Sequence, residues 1–263
     1  MNGFATSWLG LRAPADRAAR NRRILGACTD WAAAHARHAV DLGCGTGATL
    51  EALAPLLGRR LRWTLVDNDP ALLALASDWA ARMGVTAESR AVSLDAPASA
   101  WAPGDADLMT ASALIDLAGA RFLDRLADAA AARGAAVYVA LSVDGRLALS
   151  PSHANDKTVL GAFQADQGRD KGLGPALGGA AHDHLVRRLR EAGFEVLDGR
   201  SDWSLRPTLS HALIEAMLTG LARAPATPHP ASESWLADRL AALAGGDLTL
   251  RVGHRDLFAA PPR

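Results

Sequence analysis

The sequence predicts an α/β fold in which helices cover both faces of a mostly parallel sheet. Segments with strand patterning alternate with helical segments along most of the chain, which is typical of a parallel sheet. The run Ala136–Leu141 is apolar throughout, as expected of a strand that is buried on both faces. The run Val40–Gly47 leaves a strand through three glycines and enters a helix, a connection that suits a ligand-binding loop in such a sheet.

The elements follow this pattern from the amino terminus onward. We predict a helical cap for residues 1–35. It contains a helix from Pro14 to about Gly26, because proline is favoured in a first helical turn. Helices that pack between the strands are expected to end where glycine follows the last apolar position. These glycines are Gly58, Gly84, Gly134 and Gly193. Strands are predicted at 38–42, 61–67, 88–94, 106–110, 136–141, 194–197 and 248–252.

Two segments interrupt the alternation. Residues 143–180 are polar and rich in glycine, and residues 202–246 contain two further amphipathic helices separated by a proline-containing loop. We interpret both as insertions near the substrate side of one domain that spans 1–263, since a chain of 263 residues can bury one substantial core.

The composition argues against several classes of function. Lys plus Arg and Asp plus Glu each total 28, so the chain lacks the broad positive charge of nucleic-acid-binding proteins. The two cysteines, Cys28 and Cys44, give no disulfide framework and no cluster with zinc spacing. No secretory signal or membrane-spanning run is visible. We therefore expect a cytoplasmic protein without a bound metal, and without nucleic acid or membrane as partner.

The glycine loop predicts a site for a nucleotide-like cofactor. Glycine permits the sharp turn out of the strand and lets a ligand approach the backbone amides that begin the next helix. The spacing Gly43-x-Gly45-x-x-Ala48 satisfies the dinucleotide fingerprint, so this pattern alone leaves NAD open. Asp67 ends the next strand, and its carboxylate would suit the ribose hydroxyls of either cofactor.

Two longer motifs favour a different cofactor. The run Asp41-Leu42-Gly43-Cys44-Gly45-Thr46-Gly47 resembles the first motif of class I S-adenosylmethionine-dependent methyltransferases, and Asp67-Asn68-Asp69-Pro70 resembles their second motif. The resemblance covers about residues 35–200. It implies a Rossmann-like class I methyltransferase fold with seven strands, in which the last strand is antiparallel. It also implies S-adenosylmethionine as the cofactor.

The resemblance assigns roles to individual residues. It places Asp41 near the methionine end of the cofactor, Asp67 on the ribose and Asp95 on the adenine amino group. The implied cofactor-binding residues are Asp41, Gly43, Cys44, Gly45, Gly47, Asp67, Asn68, Asp95, Ala96 and Ser112.

Candidate substrate residues lie on three segments. Asp116 follows the fourth strand, where family members often carry a histidine or an aromatic residue, so a general-base role does not transfer to it. Arg12 precedes the first predicted helix, in a segment that often covers the cofactor in this family. In the first insertion, Arg169, Asp170 and Lys171 are expected to reach a polar substrate or to order a lid over it.

The predicted activity is methyl transfer from S-adenosylmethionine to a small molecule. The sulfonium is already a good leaving group, so the protein mainly aligns the reactants, and no catalytic residue is predicted from the sequence. The alternatives are an NAD-dependent oxidoreductase and a non-catalytic S-adenosylmethionine-binding protein. The sequence identifies neither the substrate, nor the accepting atom, nor the oligomeric state.

Overall fold

The structure, a computed structural model, describes residues 6–170, 172–223 and 229–262. These residues form eight strands and ten α-helices. The strands are β1 His38–Leu42, β2 Arg62–Asp67, β3 Ala87–Ala91, β4 Leu108–Ser112, β5 Ala136–Ser150, β6 Glu195–Arg200, β7 Trp203–Leu205 and β8 Thr249–Ala260. The helices are α1 Thr6–Ala19, α2 Arg22–His35, α3 Ala48–Leu57, α4 Pro70–Met83, α5 Ala98–Trp101, α6 Ala120–Arg133, α7 Asp156–Gln167, α8 Ala181–Glu191, α9 Pro207–Arg223 and α10 Ser232–Ala244.

The strands form one sheet in the order β3-β2-β1-β4-β5-β8-β6, and β7 pairs with β8 beside this path. The first five strands are mutually parallel, whereas β8 is antiparallel to its neighbours β5, β6 and β7. The predicted α/β fold with an antiparallel last strand is therefore confirmed. The described residues add an eighth strand, β7, to the seven that were predicted.

The strands β5 and β8 are much longer than predicted and extend past the carboxyl edge of the sheet. Residues 147–150 of β5 pair with 249–252 of β8, and β7 pairs with the same part of β8. Two register shifts separate this outer ladder from the inner one, and Leu141 lies at the first shift with a φ of 57°. The outer ladder carries the second insertion above the sheet edge, where a ligand would bind.

Three buried clusters hold the molecule together. One cluster lies on the face covered by α6 and α8, and includes Phe122 and Leu185. Another lies on the opposite face under α2, α3 and α4, and includes Trp63. The third joins α7, α9 and α10 to the outer ladder, with Trp235 and Ile214 at its centre. The insertions thus have a core of their own.

The amino-terminal cap differs from the single helix predicted at 14–26. The structure contains two helices, and Pro14 lies inside α1. The side chain of Asn21 accepts hydrogen bonds from the amides of Arg23 (3.1 Å) and Ile24 (3.2 Å), and so begins α2. Asparagine is a strong helix cap, which explains the break. No helix within the described ranges is both long and apolar enough to cross a membrane.

Candidate functional site

The glycine loop between β1 and α3 depends on backbone angles that favour glycine. Gly43, Gly45 and Gly47 have φ values of 59°, 53° and 96°. A Cβ on Gly43 would also lie 2.9 Å from Cδ1 of Leu114, and one on Gly47 would lie 3.4 Å from Cβ of Ala76. Any other residue at these positions would strain the turn, so the loop keeps its backbone open on the ligand side.

Asp67 at the end of β2 is held against this loop. Its Oδ2 accepts a hydrogen bond from the amide of Gly45 at 2.8 Å, and its Oδ1 accepts one from the amide of Asp69 at 3.0 Å. Asp69 in turn caps α4 through the amide of Ala71 at 2.9 Å. The carboxylate is thereby fixed in orientation, with lone pairs remaining for a ligand because each oxygen can accept more than one hydrogen bond.

A first cavity, of about 140 Å³, lies over the loop. Its wall has an apolar part that includes Leu72, Val92 and Leu94, and an acidic part that includes Glu51 and Asp67. The lining residues are Leu9, Arg12, Ala13, Asp16, Gly43, Cys44, Gly45, Thr46, Ala48, Glu51, Asp67, Asn68, Leu72, Val92, Leu94, Ser112, Ala113, Leu114 and Leu117.

Asp41 lies beneath the loop and has no exposed surface. Its Oδ1 accepts a hydrogen bond from Oγ1 of Thr110 at 2.7 Å. Burial raises the pKa of Asp41 to about 7, against the opposing effects of the Thr110 hydroxyl and the Arg20 charge. The carboxyl can therefore change its charge near neutral pH.

Arg20, between α1 and α2, is a buried cation that the sequence did not single out. Its Nη2 donates to the carbonyl of Ala48 and to Oγ of Ser112, both at 3.1 Å, and its Nη1 donates to the hydroxyl of Tyr138 at 3.4 Å. It therefore joins the amino-terminal cap to the first turn of α3 and to the end of β4. Its burial, which it shares with Arg239, is a property of the folded protein and leaves no signal in the sequence.

A second, larger cavity of about 950 Å³ adjoins the first, and the two share Arg12, Ala113 and Leu117. Its wall is mainly apolar. The apolar lining residues include Trp8, Leu147, Phe163, Trp203, Met217, Leu221 and Val252. Polar side chains stand among them, and these are Arg12, Asp116, Asp144, Arg146, Gln164 and His254.

The structure brings most of the predicted site residues to these cavities. Of the predicted cofactor residues, the first cavity is lined by Gly43, Cys44, Gly45, Asp67, Asn68 and Ser112. Of the predicted substrate residues, Arg12 lines both cavities and Asp116 lines the second. Asp41 and Gly47 are absent from the lining, because one is buried under the loop and the other begins α3 at its contact with α4.

Other predicted residues lie away from both linings. Asp95 is exposed, and the carbonyl of Ala96 accepts hydrogen bonds from Trp101 and Arg125. Val92 and Leu94, just before them, line the first cavity instead.

In the first insertion, Gly168 lines the second cavity, whereas Arg169 and Asp170, which follow it, are absent from the lining. Arg169 is exposed and pairs with Asp166. Asp170 accepts hydrogen bonds from the amides of Gly172 (2.7 Å) and Gly174 (3.1 Å) within its own loop. Lys171 lies outside the described residues.

No group of three or more His, Cys, Asp or Glu side chains that could hold a metal ion occurs among residues 6–170, 172–223 and 229–262. The two cavities are lined by other polar groups. Their chemistry comes from carboxylates, arginines, one buried histidine and the loop amides.

Comparisons with known proteins test the family that the sequence motifs predict. Residues 39–134 match the family model described as a methyltransferase domain. Among curated proteins, none matches the chain.

Similar solved structures include a cyclopropane-fatty-acyl-phospholipid synthase-like protein from Lactobacillus casei, with 17% identity and a TM-score of 0.52, covering 93% of this chain and 98% of that one. They also include the YcgJ protein from Bacillus subtilis, with 12% identity and a TM-score of 0.51, covering 92% of this chain and 99% of that one. At such identities these two structures show the fold.

The family match confirms the prediction of an enzyme that uses S-adenosylmethionine, and the solved structures confirm the predicted fold. Residues 39–134 of this chain match a methyltransferase domain, and the chain as a whole shares its fold with the two solved structures.

Proposed function

We propose that the protein transfers the methyl group of S-adenosylmethionine to a small molecule that binds in the second cavity. The observation that carries this proposal is the junction of the two cavities at Arg12, Ala113 and Leu117. A cofactor in the first cavity would thus meet an acceptor in the second one. The second cavity, of about 950 Å³, has the size and the mainly apolar wall of a small-molecule site.

The residues of the first cavity suit S-adenosylmethionine. The fixed carboxylate of Asp67 can accept the two ribose hydroxyls, and Leu72, Val92 and Leu94 offer an apolar wall for the adenine. The open backbone of the glycine loop leaves room for the methionine end, with Asp41 beneath it. When bound, this cofactor supplies an electrophilic methyl group on a sulfonium that departs readily.

Glu51 favours S-adenosylmethionine over NAD as the cofactor. It lies in the first turn of α3 and lines the first cavity, with its Oε2 3.6 Å from Nη1 of Arg17. Dinucleotide sites place a pyrophosphate at this helix start, where a carboxylate would repel it. The ammonium group and the sulfonium of S-adenosylmethionine are instead attracted by an acid at this place.

A first test measures cofactor binding through Asp67. Asp67→Asn removes one charged acceptor, and we expect the affinity for S-adenosylhomocysteine, measured by calorimetry, to fall by about 2–3 kcal/mol, roughly 30- to 150-fold. Asp69→Asn is the matched control, because it removes the same charge while asparagine still caps α4. Equal affinities of the two variants would refute the role of Asp67.

A second measurement tests the substrate class. The protein is incubated with methyl-labelled S-adenosylmethionine and a cell extract divided into low- and high-molecular-weight fractions. The proposal expects label in the low-molecular-weight fraction. Label in the RNA or protein of the other fraction would overturn the small-molecule assignment, and cofactor binding without any transfer would favour a non-catalytic protein.

A further inference from the structure

His254 on β8 is a buried histidine that lines the second cavity. Its ring lies against the ring of Trp203, with 4.8 Å between the centroids and a tilt of 45°. Trp203 also lines the cavity, and the guanidinium carbon of Arg12 lies 5.0 Å from the centroid of its ring. His254 therefore belongs to a packed group that reaches Arg12 at the junction with the first cavity.

The hydrogen bond of the ring fixes its tautomer. Nδ1 of His254 lies 3.1 Å from the carbonyl oxygen of Val252, and a carbonyl oxygen can only accept, so Nδ1 carries the hydrogen. In the neutral ring, Nε2 is then a lone-pair acceptor. Within the described part of the chain, the ring forms no other hydrogen bond, so Nε2 is the ring atom left for a molecule in the cavity.

Burial, together with the charge of Arg12, keeps the ring of His254 neutral. Burial and the Arg12 charge lower its pKa to about 4, against the smaller opposing effects of Asp16 on α1 and Asp144 on β5. Asp202, before β7, accepts a hydrogen bond from the backbone amide of His254 at 3.2 Å and forms an ion pair with Arg146 of β5. The lone pair on Nε2 is thus present throughout the neutral range.

We propose that His254 is the general base of the reaction, and that the acceptor is a mainly apolar molecule whose hydroxyl group donates to Nε2. This inference rests on the proposed function. When the oxygen bonds to the methyl carbon of the bound cofactor, the carbon–sulfur electron pair leaves with sulfur and the hydroxyl proton passes to Nε2. Nε2 later returns this proton to water, which restores the neutral ring.

The surroundings of the two cavities favour a hydroxyl over an amine. Arg12 at the junction is paired with Asp16 at 2.8 Å, and its remaining N–H donors oppose an ammonium group, whereas they stabilise the negative charge that develops on an oxygen as its proton leaves. The imidazolium formed for a moment lies against the ring of Trp203 and near the carboxylates of Asp16 and Asp144, which offset part of the unfavourable effect of burial and of Arg12.

The test uses two probes that differ in whether the oxygen carries a proton or a methyl group. Naphthol and methoxynaphthalene share an apolar body that suits the cavity wall, but only naphthol can donate to Nε2. In protein labelled with ¹⁵N at histidine, we expect His254 to show the Nδ1–H tautomer, and its Nε2 resonance to shift with naphthol and not with methoxynaphthalene.

A variant of His254 tests the role of Nε2 directly. His254→Asn keeps an N–H that can donate to the Val252 carbonyl, but removes the accepting nitrogen. We expect naphthol binding, followed by quenching of tryptophan fluorescence, to weaken about tenfold, and methoxynaphthalene binding to stay unchanged. An Nε2–H tautomer, or an equal loss for both probes, would overturn the assignment of His254.

Calorimetry with S-adenosylhomocysteine tests the proposed function independently of the role of His254. Both the native protein and His254→Asn are expected to bind it equally, since His254 does not line the first cavity. Absence of binding to the native protein would refute the proposed function, while the naphthol results alone decide the role of His254.

Discussion

At the scale of single residues, Asp41 is the group whose charge depends most on what the glycine loop binds. Its carboxyl has no exposed surface, and burial raises its pKa to about 7. The neighbouring Asp67 adds to this rise, while Thr110 and Arg20 oppose it. A cation placed over the loop would favour the ionised form and draw the proton off. Ligand binding and protonation of Asp41 are therefore linked.

This linkage gives a pH-dependence prediction. We expect the affinity for S-adenosylhomocysteine, which carries an ammonium group, to fall as the pH drops through about 7, by at most about tenfold per pH unit. The reason is that the protonated carboxyl must first ionise before it can attract the ligand. Calorimetry in buffers on either side of neutrality measures this slope.

The control is Asp41→Asn, which keeps the shape of the side chain and removes the titration. We expect its affinity to be lower and nearly independent of pH in the same range. The folded protein holds this proton more tightly than the unfolded chain does, so Asp41 destabilises the free protein as the pH rises from about 4 to about 7. The same slope in both proteins would show that another group titrates.

At the scale of elements, helix α1 covers both cavities and is held in place by hydrogen bonds to the side chain of Asp16. Asp16 accepts hydrogen bonds from Nε1 of Trp203 at 3.0 Å and from Nε of Arg12 at 2.8 Å, and it is almost fully buried. Leu9 and Arg12 of the same helix line the first cavity. Entry of the cofactor is therefore coupled to how firmly α1 is held.

We expect Trp203→Phe to loosen α1, because it removes the indole donor to Asp16 while keeping an aromatic ring. A buried carboxylate then loses a hydrogen bond, at a cost of about 1–3 kcal/mol. Hydrogen exchange of residues 6–19 should become faster, and S-adenosylhomocysteine should dissociate faster.

Trp101→Phe is the matched control for this prediction. The Nε1 of Trp101 donates to the carbonyl of Ala96 at 3.0 Å, and Trp101 packs against Phe122 away from α1. This variant should lower the stability of the protein without changing the exchange of α1. Similar exchange of α1 in both variants would contradict the role of the bond between Trp203 and Asp16.

The elements also show which features the sequence predicts. Strands β1 and β2 follow the predicted bounds closely, because local apolar runs define them. The helix α7 and the outer half of β5 lie in the segment 143–180, whose polar and glycine-rich composition predicts an insertion but neither a helix nor a strand. Their stability comes from contacts with α9 and from pairing with β8, about a hundred residues away, and such contacts leave no local pattern.

At the scale of the whole molecule, the predicted site residues that reach the cavities are those on the glycine loop and the strand ends, together with Arg12 and Asp116. Parallel strands bring their carboxyl ends to one edge, so such residues meet by topology alone. The sequence does not indicate Glu51 or Arg20 as site residues, and it leaves His254 as one of two lone histidines, with His153, that could carry a proton. Glu51, Arg20 and His254 each come from a different element, and only the packing of the cap, α3 and β8 around the cavities gives them a role.

The separate core of the insertions leads to a last prediction, on Arg239 of α10. Its side chain is almost fully buried, and it donates to the carbonyl of Pro151 at 2.7 Å and pairs with Asp156 of α7. Nε1 of Trp235 donates to the same carboxylate at 2.8 Å. Burial tends to raise the pKa of Asp156, but these hydrogen bonds outweigh it, and the net pKa is lowered. The carboxylate is thus ionised and depends on its partners.

We expect Arg239→Met to lower the free energy of unfolding in urea by about 3–5 kcal/mol, because it leaves a partly buried carboxylate without its cation. Arg223→Met is the matched control in the same layer, since the pair of Arg223 with Glu233 is exposed and solvent screening leaves it little effect on stability.

The loss at Arg239 should be confined to the layer formed by α7, α9 and α10. Phe163 of α7 and Met217 of α9 line the second cavity, so binding of methoxynaphthalene should weaken. The first cavity has no lining residue from these helices, so the affinity for S-adenosylhomocysteine should stay as in the native protein. If both ligands lost affinity in parallel, the insertions would share one cooperative unit with the cofactor site, and their core would have no independence.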